Sequence, residues 1–273
     1  MIPEGNNMNN VERFSGFQDC YDEHRPAAPI RAIRILQTYL GRRPELVVDL
    51  GCGTGLSTFV WEEHADRVIG IEPNEDMRGK AEEKRRARGD SRRISFMKGY
   101  SNQLELEPES VDVVTCSQSF HWMEPVSTLR EVSRVLRDGG IFAAYDCDWP
   151  PTVNWAVEDE YNRLIGLADA IIEHSFPEGG RARKRNKEEH LQNIRESGRF
   201  RYVKEVVFHN LEQCSAERYV GLALSQGGVQ TVFKSGSHAL DEAVESFRKK
   251  VIDYFGTRSL EVLFSYRMRL GIK

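Results

Sequence analysis

The sequence predicts an α/β fold built on an open, doubly wound parallel sheet, and three observations predict it. Between residues 46 and 146, apolar runs that suit buried strands alternate without a break with segments of helical periodicity, the rhythm of consecutive strand, helix and strand units. The first run, Leu46 to Leu50, breaks into a turn with glycines at 51, 53 and 55, where backbone angles forbidden to a side chain are needed. The next, Arg67 to Ile71, ends on Glu72, roughly twenty residues past that turn, where sheets of this type set an acid against a ribose.

In chain order, the segment from Met1 to about Glu12 lacks periodicity and is expected to be loose. Pro26 and Pro29 precede a helix whose apolar positions Ile30, Ile33, Leu36 and Leu40 keep a helical spacing. After the glycine turn the pattern from Leu56 to His64 reads as a helix whose free N–H groups would favour an anion. Another helix starts near Asn74, and its charged run Lys80 to Arg88 interleaves acid and base as a solvated face does. Arg93 to Lys98 and Val111 to Cys116 are strands, the second followed by the polar and aromatic stretch Ser117 to Trp122. Pro125 opens a helix with Val126, Leu129, Val132, Val135 and Leu136 inward, which Asp138, Gly139 and Gly140 stop before the strand Ile141 to Asp146.

From Trp149 the rhythm changes. Asn154 to Glu173 is helical, Phe200 to Phe208 alternates as a strand, helices near Ser215 to Leu224 and His238 to Phe255 follow, and Leu260 to Met268 is again strand-like. The expected division is a ligand-binding core over 1–150 and, over 151–273, helical cap insertions with the last two strands.

Composition narrows the function. The 273 residues carry 38 Lys+Arg against 42 Asp+Glu, a net charge of −4 that does not favour a nucleic-acid or anionic-membrane partner. Five cysteines, at 20, 52, 116, 147 and 214, are scattered and form no C-x-x-C pair, as in reduced intracellular proteins, and no metal site is expected. The polar, Asn-rich start does not read as a signal peptide, and a cytoplasmic location is expected. Arg181 to Lys187 is strongly basic, but Glu188 and Glu189 follow at once, which favours a solvated loop over an RNA contact or an anion-binding lid.

The glycine turn is not a dinucleotide loop, because Leu56 stands where G-x-G-x-x-G needs its third glycine, nor a P-loop, because G-K-[ST] is absent. Val48-Asp49-Leu50-Gly51-Cys52-Gly53-Thr54-Gly55 resembles the first motif of the Rossmann-like methyltransferases that use S-adenosylmethionine. Phe14 to Pro29 and the ending Gln118-Ser119-Phe120-His121-Trp122 resemble the group that includes trans-aconitate methyltransferase, although Ala28 replaces a usual tyrosine. The resemblance implies a seven-stranded, mostly parallel sheet with an antiparallel last strand. It implies that the cofactor's carboxylate and amine lie at Asp49, Gly51, Cys52, Gly53 and Gly55, with the ribose on Glu72 beside Pro73. Met77, Tyr100 and Ser101 would border the adenine, and Ser117 and Gln118 the sulfonium. Tyr21, Arg25, His121 and Trp122 would meet the acceptor, with His121 the candidate general base.

The expected activity is methyl transfer to a small molecule, with a carboxylate oxygen as the acceptor and Arg25, Arg181 and Arg183 as candidate carboxylate ligands. The alternatives are an RNA methyltransferase and a non-catalytic S-adenosylmethionine-binding protein. Fold alone does not choose among them.

Overall fold

The computed structural model describes residues 2–89 and 91–273, with Glu178 described by its backbone alone. Helices α1 (Met8–Glu12), α2 (Gln18–His24) and α3 (Ile30–Leu40) lead into β1 (Leu46–Leu50), β2 (Arg67–Ile71), α4 (Glu75–Ala87), β3 (Ile94–Met97) and β4 (Val111–Ser117). Then come α5 (Pro125–Val135), β5 (Leu136–Cys147), α6 (Trp155–Ser175), α7 (His190–Glu196), β6 (Tyr202–Cys214), α8 (Ala216–Leu224), α9 (Gly227–Lys234), α10 (Asp241–Phe255) and β7 (Leu260–Ile272). The seven strands form one sheet in the order β3-β2-β1-β4-β5-β7-β6. Pairing is parallel from β3 through β5, and β7 runs antiparallel to both β5 and β6.

Every residue of β1 is buried, as expected of a strand covered on both faces. Side chains alternate between those faces. Val47 and Val113 belong to one apolar cluster with Ile33, Leu36 and Trp61, while Val48 and Val114 belong to the other with Leu129, Val132 and Phe142. Helices α6, α8 and α10 thicken the first cluster through Tyr161, Leu164, Tyr219, Phe247 and Phe255. Because β1 has β2 on one side and β4 on the other, the strand order reverses there, and a crevice opens beyond the carboxyl ends of these strands. No helix among the described residues is long and apolar enough to cross a membrane.

Several local expectations are corrected. Residues 56–64 form turns and a single 3-10 turn, Phe59–Trp61, in place of an α-helix. The hydroxyls of Ser57 and Thr58 bond the buried Asp49 carboxylate at 2.5 and 2.8 Å, so these side chains are committed inward and the segment coils around them. The N-terminal stretch is not loose over residues 8–12, which form α1; Met1 lies outside the described residues. Helix α5 ends at Val135, before the Asp138-Gly139-Gly140 stop, because Leu136 already turns extended into β5. Val126 lies on its solvent face and not inward. Both late strands run on past their expected ends, paired along a thirteen-residue register from Tyr202 opposite Ile272 to Cys214 opposite Leu260. Between the helices expected near Ser215 to Leu224 and His238 to Phe255, Gly227 and Gly228 start a further helix, α9.

Candidate functional site

The crevice is built first by its turn. Gly51 and Gly53 adopt φ of +64° and +56°, a region that favours glycine, and a Cβ on Gly51 would lie 2.7 Å from the Ser119 Cβ. The amides of Gly51 and Cys52 both donate to the Ile71 carbonyl, at 2.8 and 3.2 Å, which ties the turn to β2. Glu72, at the end of β2, accepts from the Gly53 amide at 2.9 Å and from the Asn74 amide at 2.8 Å. Burial nevertheless pushes its carboxyl up to about 7, against the pull of those two bonds. A carboxylate this desolvated gains further stabilisation from any hydroxyl donors that reach it.

Asp49 serves the turn from beneath. Its carboxylate is fully buried and accepts from Ser57, Thr58 and Thr115, the last at 2.8 Å, while burial raises its pKa. It does not line the crevice, and neither do Cys52 and Gly55, whose side chain and backbone pack into the core beside Gly70 and Phe59. These three expected cofactor residues shape the turn and are not among those that line the crevice. Gly51, Gly53, Glu72, Pro73, Met77, Tyr100, Ser101, Ser117, Gln118, Tyr21 and Trp122 do line it. The Ser101 hydroxyl is shared with Thr128 at 2.7 Å.

Sequence reading missed the lid of this crevice. Asn6, Asn7, Asn10, Val11 and Phe14, from α1 and its flanks, close over it. The Asn10 side chain donates to the Trp122 carbonyl at 3.0 Å and accepts from the Arg183 amide at 2.7 Å. Asn74 donates to the Val11 carbonyl and to the Ser15 hydroxyl, each at 2.9 Å.

Next to the crevice lies a second cavity of about 540 Å³, and the two share Phe14, Tyr21, Gln118 and Trp122. Gln118 holds that junction with φ of +56°, a strained position for a residue with a side chain. Arg25 lines the larger cavity with its guanidinium over the rings of Trp149 (4.8 Å) and Tyr21 (5.3 Å), and it donates to the Ser225 carbonyl and the Gln226 side chain. Arg181 also lines it, but spends its guanidinium on the Glu173 and Phe176 carbonyls. Arg183 is exposed and outside the lining. The basic stretch is solvated in part, as expected, with Arg183, Lys184 and Asn186 exposed, while Lys184 and Lys187 also line the cavity.

His121 lines the same cavity, with Nδ1 3.4 Å from Asp146 Oδ1. Asp146, at the end of β5, also has Lys187 Nζ at 2.8 Å from Oδ1, and His190 Nε2 at 3.7 Å and Arg269 Nη1 at 3.8 Å from Oδ2. Burial pushes His121 down to about 3 and His190 to about 4, in both cases against the pull of Asp146, so both imidazoles are neutral. Burial works to raise Asp146, but its contacts with His121 and Lys187 prevail and hold it below its ordinary value. The two histidines and the aspartate form a donor set that a metal ion could take. The ammonium of Lys187, however, already stands on Oδ1 of this carboxylate, and the arrangement is that of a buried ion pair flanked by neutral imidazoles.

Residues 48–144 match a family model described as a methyltransferase domain. A probable S-adenosylmethionine-dependent methyltransferase of Saccharomyces cerevisiae is 37% identical over 125 residues, which cover 45% of this chain and 43% of that protein. An uncharacterized methyltransferase of Mycobacterium tuberculosis is 32% identical over 127 residues, 46% of this chain and 49% of the relative. The chain thus spans less than half the length of these curated relatives. A putative type II methyltransferase from Anaeromyxobacter dehalogenans shares the fold with a TM-score of 0.65 at 22% identity, over 91% of this chain and 97% of that one. The cyclase SpnF shares it with a TM-score of 0.56 at 18% identity, over 99% and 97%. The segment from Val48 to Ala144, which matches the methyltransferase-domain model, supplies the glycine turn, Glu72 and, of the four junction residues, Gln118 and Trp122.

Proposed function

We propose that the protein transfers a methyl group from S-adenosylmethionine to a small carboxylic acid held in the larger cavity. The observation that carries this reading is the junction of two spaces at Tyr21, Gln118 and Trp122, one floored by the glycine turn and Glu72, the other rich in cations.

The crevice suits the cofactor. Glu72 would take the ribose hydroxyls, Gly51 and Gly53 leave the main chain open to the amino-acid end, and Met77, Tyr100 and Ser101 border the place for the base. Bound there, the cofactor supplies a methyl group already activated by its sulfonium. The chain then has to align the acceptor and keep water out, which is worth many powers of ten in rate.

A cavity of about 540 Å³ is of the size that encloses a small ligand. Arg25, Lys184 and Lys187 give it positive charge, and Trp122, Trp149, Ile165 and Ile172 give it apolar walls. A carboxylate carries no proton at neutral pH, so its methylation needs no base. His121 is then a wall of the cavity, and it is the base available to an acceptor that does carry a proton. The likeness of residues 14–29 and 118–122 to the trans-aconitate methyltransferase group supports the same acceptor class. Against RNA, two cations of the basic stretch are committed to internal partners, Arg181 to carbonyls and Lys187 to Asp146.

The test is a labelled-methyl screen against pooled carboxylic acids, amines and RNA. A base-labile methyl ester formed only with acids is expected; label in RNA or in a base-stable amine would overturn the acceptor assignment.

A further inference from the structure

Arg13 stands out among the charged groups of the cavity. It lines the wall, stacks over Trp122 with its guanidinium 4.1 Å from the ring, and has an Nε that is buried without a partner. No hydrogen bond or ion pair of its guanidinium is found among the described residues, although a guanidinium offers five N–H donors. Burial pushes its pKa down to about 10, with Asp169 pulling the other way. A partly buried guanidinium whose Nε has no acceptor is costly, and proteins normally satisfy such a donor, often with an anion.

Two features around it point the same way. Arg13 Nη2 would lie 2.2 Å from a Cβ on Gly227, so the guanidinium packs directly on the first residue of α9. That helix has no side-chain cap, because Gln226 uses its amide group on Arg25 and Tyr161. The first amides of α9, at Gly227 and Gly228, are therefore left without an acceptor among the described residues. Arg25 has a buried, unpartnered Nε of its own and reaches the same Gln226. Both arginines lie against rings, Trp122 and Tyr21, that line the crevice as well.

We infer that Arg13, Arg25 and the open first turn of α9 form an oxyanion subsite that holds the acceptor beside the methyl donor. The inference rests on the acceptor cavity proposed above and names the groups that would bind its charge. Asp169, whose Oδ1 lies 3.1 Å from a Cβ on Gly228, opposes an anion there; Arg13, Arg25 and Lys184 outnumber it. Lys234 takes no part, since its ammonium is held by the Arg13 and Ser15 carbonyls. A planar carboxylate and a tetrahedral phosphate both fit donors of this kind.

The test uses the full chain saturated with S-adenosylhomocysteine and titrated with sodium acetate or inorganic phosphate, followed by the amide resonances of Gly227 and Gly228 and the Nε–H of Arg13. Saturable shifts at all three are expected, with the anion that binds more tightly identifying the source. Arg13→Gln should raise the apparent Kd at least tenfold, and Arg13→Lys should recover part of it. Gly227→Ala, which displaces the guanidinium while keeping the charge, serves if Arg13→Gln does not fold. Shifts confined to surface lysines, or equal affinity in parent and variants, would mean an adventitious ion only and would overturn the subsite. Saturable binding with no acid methylated in the screen would sink the acceptor assignment and leave the subsite standing. An acid methylated with the same KM by Arg13→Gln and parent would do the reverse.

Discussion

Lys187 Nζ stands 2.8 Å from Asp146 Oδ1, and this pair fastens the basic stretch before α7 to the carboxyl end of β5. Asp146 is almost wholly buried, and its lysine partner is about one-fifth exposed. Removing one member of a buried pair leaves the other charge uncompensated, and Arg269, at 3.8 Å, is too distant to replace the contact fully. Lys187→Ala should therefore cost about 3 kcal/mol in urea unfolding. The double variant Lys187→Ala, Asp146→Asn should lose less than Lys187→Ala alone; equal losses would show that the charge left behind is not the cause.

Acid should weaken the fold through His190. Its folded pKa, pushed down to about 4 by burial, lies below the ordinary 6.5, so the unfolded chain binds more protons between these values. The contribution is fully present above pH 6.5 and is lost as pH falls toward 4. Glu72 acts in the opposite sense, because its raised pKa makes the folded state the better proton binder between 4.5 and 7. The comparison is therefore between parent and His190→Asn. The parent should lose roughly 2 kcal/mol more between pH 7 and pH 5, read from urea midpoints at each pH. Parallel pH dependence in the two proteins would contradict a neutral, buried His190.

Gly51→Ala should destabilise by about 2 kcal/mol, since it puts a side chain at φ of +64° and a Cβ 2.7 Å from the Ser119 Cβ. The Ser119 hydroxyl donates to the Leu50 carbonyl at 2.6 Å, so the shift would pull on β1. Gly166→Ala, at a helical position with nothing within 4 Å of the added atom, is the control and should be neutral or slightly stabilising in thermal unfolding.

Cofactor affinity should fall in acid. With Glu72 pushed up to about 7 in the free protein, hydroxyl donors arriving on the carboxylate lower its pKa. Binding below pH 7 then releases a proton, and S-adenosylhomocysteine should bind about tenfold more weakly for each pH unit below that point. Calorimetry in buffers of different ionisation enthalpy checks the proton release directly.

Much of this was legible in the sequence. Alternating apolar runs gave five strands in place because burial on both faces writes a local pattern, and the glycines and Glu72 mark where that pattern stops. What escaped reading depends on partners far along the chain. The asparagines of the N-terminal segment bond Asn102, Trp122 and Arg183, positions 96 to 173 residues away, and leave no periodicity behind. Ser57 and Thr58 are drawn to Asp49, so a stretch of helical spacing became turns. Arg13 and His190 look like ordinary surface residues until the tertiary fold buries the Nε of the first and the imidazole of the second.

The account depends on Glu72 and the glycine turn holding S-adenosylmethionine. The most direct measurement is its titration by calorimetry into the parent and into Glu72→Ala at pH 8, with folding of the variant verified by circular dichroism. The account predicts one saturable site per chain in the parent and at least a thirtyfold loss in the variant. Equal affinity in the two proteins, or no binding by the parent, would contradict it.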